Sequence, residues 1–288
     1  MFKTILQFTL IFLIVSIVVA FNNSDNHFSK YKESKPNAMP KTVSEALVQI
    51  GADKPNHYIE KVDADSARMG EEIVKYGNLL DGSNKRISKY FVCTDCHNIQ
   101  LESADPADES PEAVLNYGMK NDVPFLPAST FYGMYNKEHW YNDDYFKKYG
   151  DLVKPTRDTL YNAIQLCATQ CSQGRSMDHW EVRAILHYYK SLELKISDLK
   201  FDEAALLEFS KLLSRDKKAA SKMLKSKYTQ VNHAHFGSSE VPVIEGYEPS
   251  AENGKYIFNK GCLHCHDKET GITNFAMSDD KLSLNFLH

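Results

Sequence analysis

Wherever apolar and polar positions recur regularly along the chain, the period is helical. Ser66 to Tyr76 (SARMGEEIVKY) sets small and apolar residues on a helical repeat with Glu71 and Glu72 facing out, which predicts an amphipathic helix. Arg157 to about Cys171 places Leu160, Ile164, Cys167 and Cys171 on one face, the i, i+4, i+7 spacing of a core-facing helix. Asp178-His179-Trp180-Glu181 carries a capping-box pattern. The helix it opens has a core stripe of Ile185, Tyr188, Tyr189 and Leu192. Asp202 to Leu213 reads as a further amphipathic helix. This helix-only pattern predicts an all-α fold.

Between these periods the chain is irregular. Asn78 to Lys89 contains Asp81-Gly82-Ser83 and must turn. Pro106, Pro111, Pro124 and Pro127 precede an aromatic cluster from Phe131 to Phe146. Loop and short helix of this kind suit the wrapping of a flat apolar group, although most of these aromatics are expected in ordinary core. Lys211 to Lys227 holds seven basic residues against one acid, Asp216. Such a run is either a solvated helix face or a docking surface for an acidic partner.

The N-terminus departs from all this. Lys3 precedes an apolar run from Ile5 to Phe21 broken only by Gln7, Thr9 and Ser16. Val18-Val19-Ala20 offers the small residues read by a signal peptidase, so residues 1–20 are expected to be an export signal. An uncleaved membrane anchor is the rival, because the run is close to spanning length. Either way the body is exported, to a bacterial periplasm, with any membrane contact through this segment alone. Residues 21–62 are polar and mixed and read as a tether. Composition beyond that is ordinary, with 42% apolar and 25% charged residues and a net charge of −4. Those values argue against disorder and against wholesale nucleic-acid binding.

Chemistry enters with a pattern that occurs twice, Cys93-Thr94-Asp95-Cys96-His97 and Cys262-Leu263-His264-Cys265-His266. Cys-x-x-Cys-His is the attachment signature of a c-type haem. Thiols a helical turn apart can bond to the vinyl groups on a porphyrin edge, and the adjacent imidazole then ligates the iron. Zinc knuckles and redox dithiols also use Cys-x-x-Cys, but neither needs the histidine that follows each pair. The residues therefore predict two covalent haems, held by Cys93, Cys96, Cys262 and Cys265, with His97 and His266 as proximal iron ligands. Export agrees with this, since c-type haems are attached outside the bacterial cytoplasm.

The helix before the first motif and the apolar helix ending in Tyr-Tyr-Lys-Ser-Leu resemble the cytochrome c domain, placing a first domain at 63–195. A helical linker, 196–248, leads to a second such domain at 249–288, opened by Gly254-x-x-x-Phe258-x-x-x-Cys262. Only 22 residues follow His266, too few to cover the other face of a haem. The second domain is thus expected to be incomplete at its C-terminal end: a fragment, an open haem, or one covered by another chain.

The sixth iron ligand decides between electron transfer and substrate chemistry. For the first haem the candidates are Cys167, Met177, Cys171, Met134 and His139. Cys167 and Cys171 have further readings, as a disulfide or as small buried hydrophobes. Arg157 to Met177 (RDTLYNAIQLCATQCSQGRSM) resembles the distal segment of the dihaem thiosulfate dehydrogenases, with Ile164, Cys167, Gly174 and Glu181 at matching places. The Gly70-Glu71-Glu72-Ile73 helix and the connector to Cys93 resemble that family too, so the likeness covers about 65–195. It implies Cys167 as an axial thiolate and Arg175 as an anion-binding residue of an active site. Cys171 departs from the family, which has a small hydroxyl residue there. The leading expectation is an exported dihaem electron carrier that exchanges electrons with redox proteins. The alternative is an oxidoreductase that joins small sulfur anions, with Cys167 and Arg175 in its site.

Overall fold

The computed structural model describes residues 39–141, 143–157, 159–231 and 250–259. The export signal, the tether up to residue 38, and the second motif with Cys262, Cys265 and His266 lie outside the described residues. Among the described residues the regular elements are helices, joined by three isolated β-bridges and no strand. The all-α fold class follows. None of these helices is long and apolar enough to cross a membrane.

The first helix, α1 (Val43–Ile50), begins where a polar tether was expected. Thr42 and Glu45 form a capping box, with Glu45 N–H donating to Thr42 Oγ1 at 3.2 Å, and Gly51 ends the helix at φ 81°. Val43, Ala46 and Ile50 are buried. This two-turn helix has too few apolar positions to stand out among polar flanks, and tertiary packing supplies its stability.

Helix α2 (Ala64–Tyr76) is capped by Asp63, which accepts the Ser66 N–H at 2.8 Å, and ends at Gly77 in the left-handed region, φ 78°. Helix α3 (Pro111–Asn121) follows the first motif, then α4 (Asp143–Tyr149) and α5 (Leu160–Leu166). The helix expected to run unbroken to Cys171 changes at Cys167, where a π turn spans Cys167–Cys171. Its wider turn is closed by Ser172 N–H donating to Cys167 O at 2.9 Å. Helix α6 (His179–Ser191) opens as the capping box predicts, with Glu181 accepting the Asp178 N–H at 2.8 Å.

Helices α2 and α6 form the central pair. They meet backbone to backbone at Gly70, where a Cβ would lie 2.1 Å from the Ala184 carbonyl oxygen. Ile73, Val74, Val182, Ile185 and Tyr189 pack there, in one core cluster with Phe131, Trp140, Leu160 and Met177. Helices α7 (Glu203–Arg215) and α8 (Lys217–Lys225) build a second cluster with α1, joining Val43 and Ala46 to Phe209, Leu213 and Leu224. Residues read as a linker thus complete a core. A short helix, α9 (Ala251–Ile257), precedes the second motif.

Candidate functional site

The first motif is a single tight turn. A 3₁₀ helix, Cys93–Asp95, is closed by the buried Asp95 carboxylate accepting the Val92 N–H at 2.8 Å. Cys96 and His97 N–H both donate to Cys93 O, at 3.3 and 3.1 Å, so the three functional residues share one turn. The chain then pairs with the proline-rich segment: Ala128 N–H donates to Cys96 O at 3.1 Å and Phe131 N–H to Asn98 O at 2.8 Å.

That pairing sets the imidazole. His97 Nδ1 lies 2.6 Å from the Ser129 carbonyl oxygen. A carbonyl can only accept, so Nδ1 carries the proton and Nε2 keeps its lone pair. Phe131 stacks on the imidazole at 4.2 Å and 17°, and Tyr189 of α6 stacks on Phe131 at 4.6 Å. Burial, opposed by the Ser129 hydrogen bond, lowers the His97 pKa to about 4, which keeps the ring neutral and able to ligate.

Cys93, Cys96 and His97 border a cavity of about 280 Å³. Its lining is otherwise largely apolar and aromatic. Ile73 comes from α2, Leu160, Ala163 and Ile164 from α5, Cys167, Ala168 and Cys171 from the π turn, and Met177 from the approach to α6. Trp140, Tyr141 and Tyr145 also border it. Of the candidate distal ligands, Cys167, Cys171, Met177 and Met134 line this cavity. His139 does not; its backbone pairs with the Gln230–Val231 segment.

Cys167 and Cys171 are free thiols within hydrogen-bonding reach of each other. The hydrogen bond between the Cys167 and Cys171 thiols, burial, and the nearby thiols of Cys171, Cys93 and Cys96 raise the Cys167 pKa. The same bond lowers the exposed Cys171 to about 7. Burial pushes the Cys93 thiol up to about 12, the opposite of the activation that a redox dithiol needs. Among the described residues no three His, Cys, Asp or Glu side chains gather into a metal cage. A haem iron takes only one or two protein ligands, so an apolar slot fits that group better than a cage would.

Trp140 adds a signal that sequence patterning missed. Its indole N–H is buried, has no acceptor among the described residues, and belongs to a side chain bordering the cavity. A buried donor of this kind suits an anionic edge group such as a haem propionate. The residues present therefore fit a porphyrin: two thiols at the cavity edge, a tautomer-fixed imidazole, aromatic and aliphatic walls, and an orphan donor.

Arg175 is placed elsewhere. It does not line the cavity, and its guanidinium grips the fully buried Glu181 bidentately at 2.6 and 2.7 Å. It also donates to the Lys85 and Ser176 carbonyls, at 2.5 and 2.9 Å. Gly174 permits this clamp: a Cβ there would lie 2.5 Å from Ile87 O, the carbonyl that accepts the Arg175 N–H at 2.9 Å. Among the described residues no lysine or arginine lines the cavity.

No family model, curated protein or solved structure matches the chain at a significant level.

Proposed function

We propose that the chain is an exported c-type cytochrome whose cavity holds a haem bonded to Cys93 and Cys96, with His97 as proximal ligand. The observation that carries this reading is the convergence of Cys93, Cys96, His97, Cys167 and Met177 on one largely apolar cavity. When bound, haem supplies one-electron Fe(III)/Fe(II) chemistry. The chain's own residues then have distinct tasks. Ser129 fixes the His97 tautomer, Phe131 holds the ring plane, and the aliphatic residues of α5 exclude water. Cys167 or Met177, both on the cavity wall, would be the second protein ligand to the iron. A second haem would be held by Cys262, Cys265 and His266, and the paired helical cytochrome c arrangement goes with it.

Electron transfer is preferred over sulfur-anion oxidation because the described lining of the cavity is largely apolar and holds no lysine or arginine, and Arg175 is engaged by Glu181. The half-buried Cys167 at the cavity wall is what favours the enzyme alternative. The test is intact mass and a pyridine haemochrome spectrum of the chain exported from a bacterial host with haem-attachment machinery. Two covalent haems are expected, and Cys93→Ala with Cys96→Ala should remove one. Exported chain carrying zinc or no haem would end the reading. Reduction of the bound haem on adding thiosulfate would establish the enzyme alternative instead.

A further inference from the structure

Behind the proximal histidine lies a carboxylate that the proposed chemistry does not use. Glu102 is buried; it accepts Asn98 Nδ2–H at 2.8 Å and the Thr130 backbone N–H at 2.9 Å. Asn98 is itself held by Pro124 O at 2.8 Å, and Thr130 Oγ1 donates to the Asn98 and Gln100 carbonyls at 3.1 and 2.7 Å. The peptide that joins Ser129 to Thr130 therefore has two engaged ends. Its N–H donates to Glu102, and its C=O accepts from His97 Nδ1 at 2.6 Å. Hydrogen bonds in such a chain polarise one another, so charge on Glu102 makes the Ser129 oxygen a stronger acceptor. A stronger acceptor at Nδ1 makes the imidazole a more basic ligand, which favours ferric iron.

Glu102 also borders a separate cavity of about 20 Å³, room for one water, shared with Glu109, Lys137, Thr229 and Tyr228. The Tyr228 hydroxyl is buried without a partner among the described residues. Burial raises the Glu102 pKa to about 7, against the Asn98 and Thr130 hydrogen bonds; Glu109 pushes it further up and Lys137 draws it down. Lys137 is bound to Glu109 at 2.6 Å, and the neighbouring Tyr132 hydroxyl is committed to Asp198 at 2.9 Å, so Glu102 is the carboxylate that sits against the peptide.

We propose that Glu102 is a positioning residue that links protonation to the reduction potential at His97 through the Ser129–Thr130 peptide. This rests on the haem reading above. With haem bound, Glu102 would take one proton from solvent as the iron takes one electron from a redox-protein donor, and would return the proton when that electron passes on. The ionised carboxylate favours Fe(III) and the protonated one Fe(II).

The experiment is a spectropotentiometric titration of the haem-loaded full chain from about pH 6 to about pH 8. Cys262→Ala with Cys265→Ala leaves the first haem alone and assigns its midpoint. The midpoint should fall as pH rises through the range. In Glu102→Gln it should be flat and lie above wild type at the alkaline end. If that variant does not fold, redox-difference infrared spectra of wild type near neutral pH replace it, and a protonated carboxyl band should grow on reduction. A flat wild-type midpoint, a slope retained in Glu102→Gln, or no carboxyl band overturns the proposal while leaving the haem reading intact. A chain exported without haem overturns both.

Discussion

Cys167 borders the same cavity as Cys93 and Cys96, while its thiol is also within hydrogen-bonding reach of Cys171. Helical spacing alone was enough to put it on an inward face; the choice between it and Met177 as ligand was not legible, because both residues line the cavity. Cys167→Ala should convert a thiolate-type low-spin spectrum to another ligand field if sulfur from that residue binds, and Met177→Ala should then leave the spectrum in place. Electron paramagnetic resonance of the two variants decides this. Glu102 gives a prediction that needs no haem. Its folded pKa is raised from 4.5 to about 7, so between those values the native state binds more protons than the unfolded one. Wild type should therefore lose stability, by up to roughly 3 kcal/mol, as pH rises through that window. Glu102→Gln should escape the loss, as urea unfolding at each end of the window would show. Glu102 was not legible from sequence, since a glutamate five residues after a Cys-x-x-Cys-His motif carries no pattern; its link to His97 runs through the Ser129–Thr130 peptide, contributed by a distant segment.

At the scale of elements, the α2–α6 crossing and the turn after Cys171 carry the architecture. Gly70→Ala would drive a Cβ into the Ala184 carbonyl, 2.1 Å away, where backbone cannot step aside as a side chain can. It should destabilise the protein by at least about 1–3 kcal/mol, read as a lower midpoint in urea. Arg175 and Glu181 staple the start of α6 to the turn before it. Burial pushes the Glu181 pKa up, but hydrogen bonds from Arg175, Asn84 and Asp178 outweigh it and hold the group below the usual carboxylate range. The stability it lends is thus present above that range and lost as pH falls through the lowered value. Arg175→Ala leaves a buried carboxylate without its partner and should cost about 3 kcal/mol or more, measured at neutral pH. The capping box at Asp178 was readable from four consecutive residues. The π turn was not, because a change from i+4 to i+5 bonding depends on how Cys167–Cys171 packs, and the residue period is nearly the same.

For the whole molecule, the cavity of about 280 Å³ is lined largely by apolar and aromatic side chains, whose burial a bound haem would complete. Chain produced without haem attachment should accordingly melt early or stay loosely packed. Near-ultraviolet circular dichroism of the Cys93→Ala, Cys96→Ala variant, compared with the haem-loaded chain, would register that as lost tertiary signal. The second core of α1, α7 and α8 is distinct from the cluster around the cavity. It should hold its structure longer than the cavity region, which hydrogen exchange in the haem-free variant can resolve.

The sequence by itself determined the helical class, through periods and caps that act within a few residues. It also determined the local pattern of the Cys93–His97 turn, which brings two thiols and an imidazole within five consecutive residues. Tertiary structure decided everything that needs residues distant in the chain. It set α1 into a core rather than a tether, gathered Cys93, His97, Cys167 and Met177 around one space, and turned Arg175 to Glu181 and away from that space. It also joined Glu102 to His97 through a peptide near residue 130. Period and capping are nearest-neighbour physics; burial and electrostatic coupling belong to the packed chain.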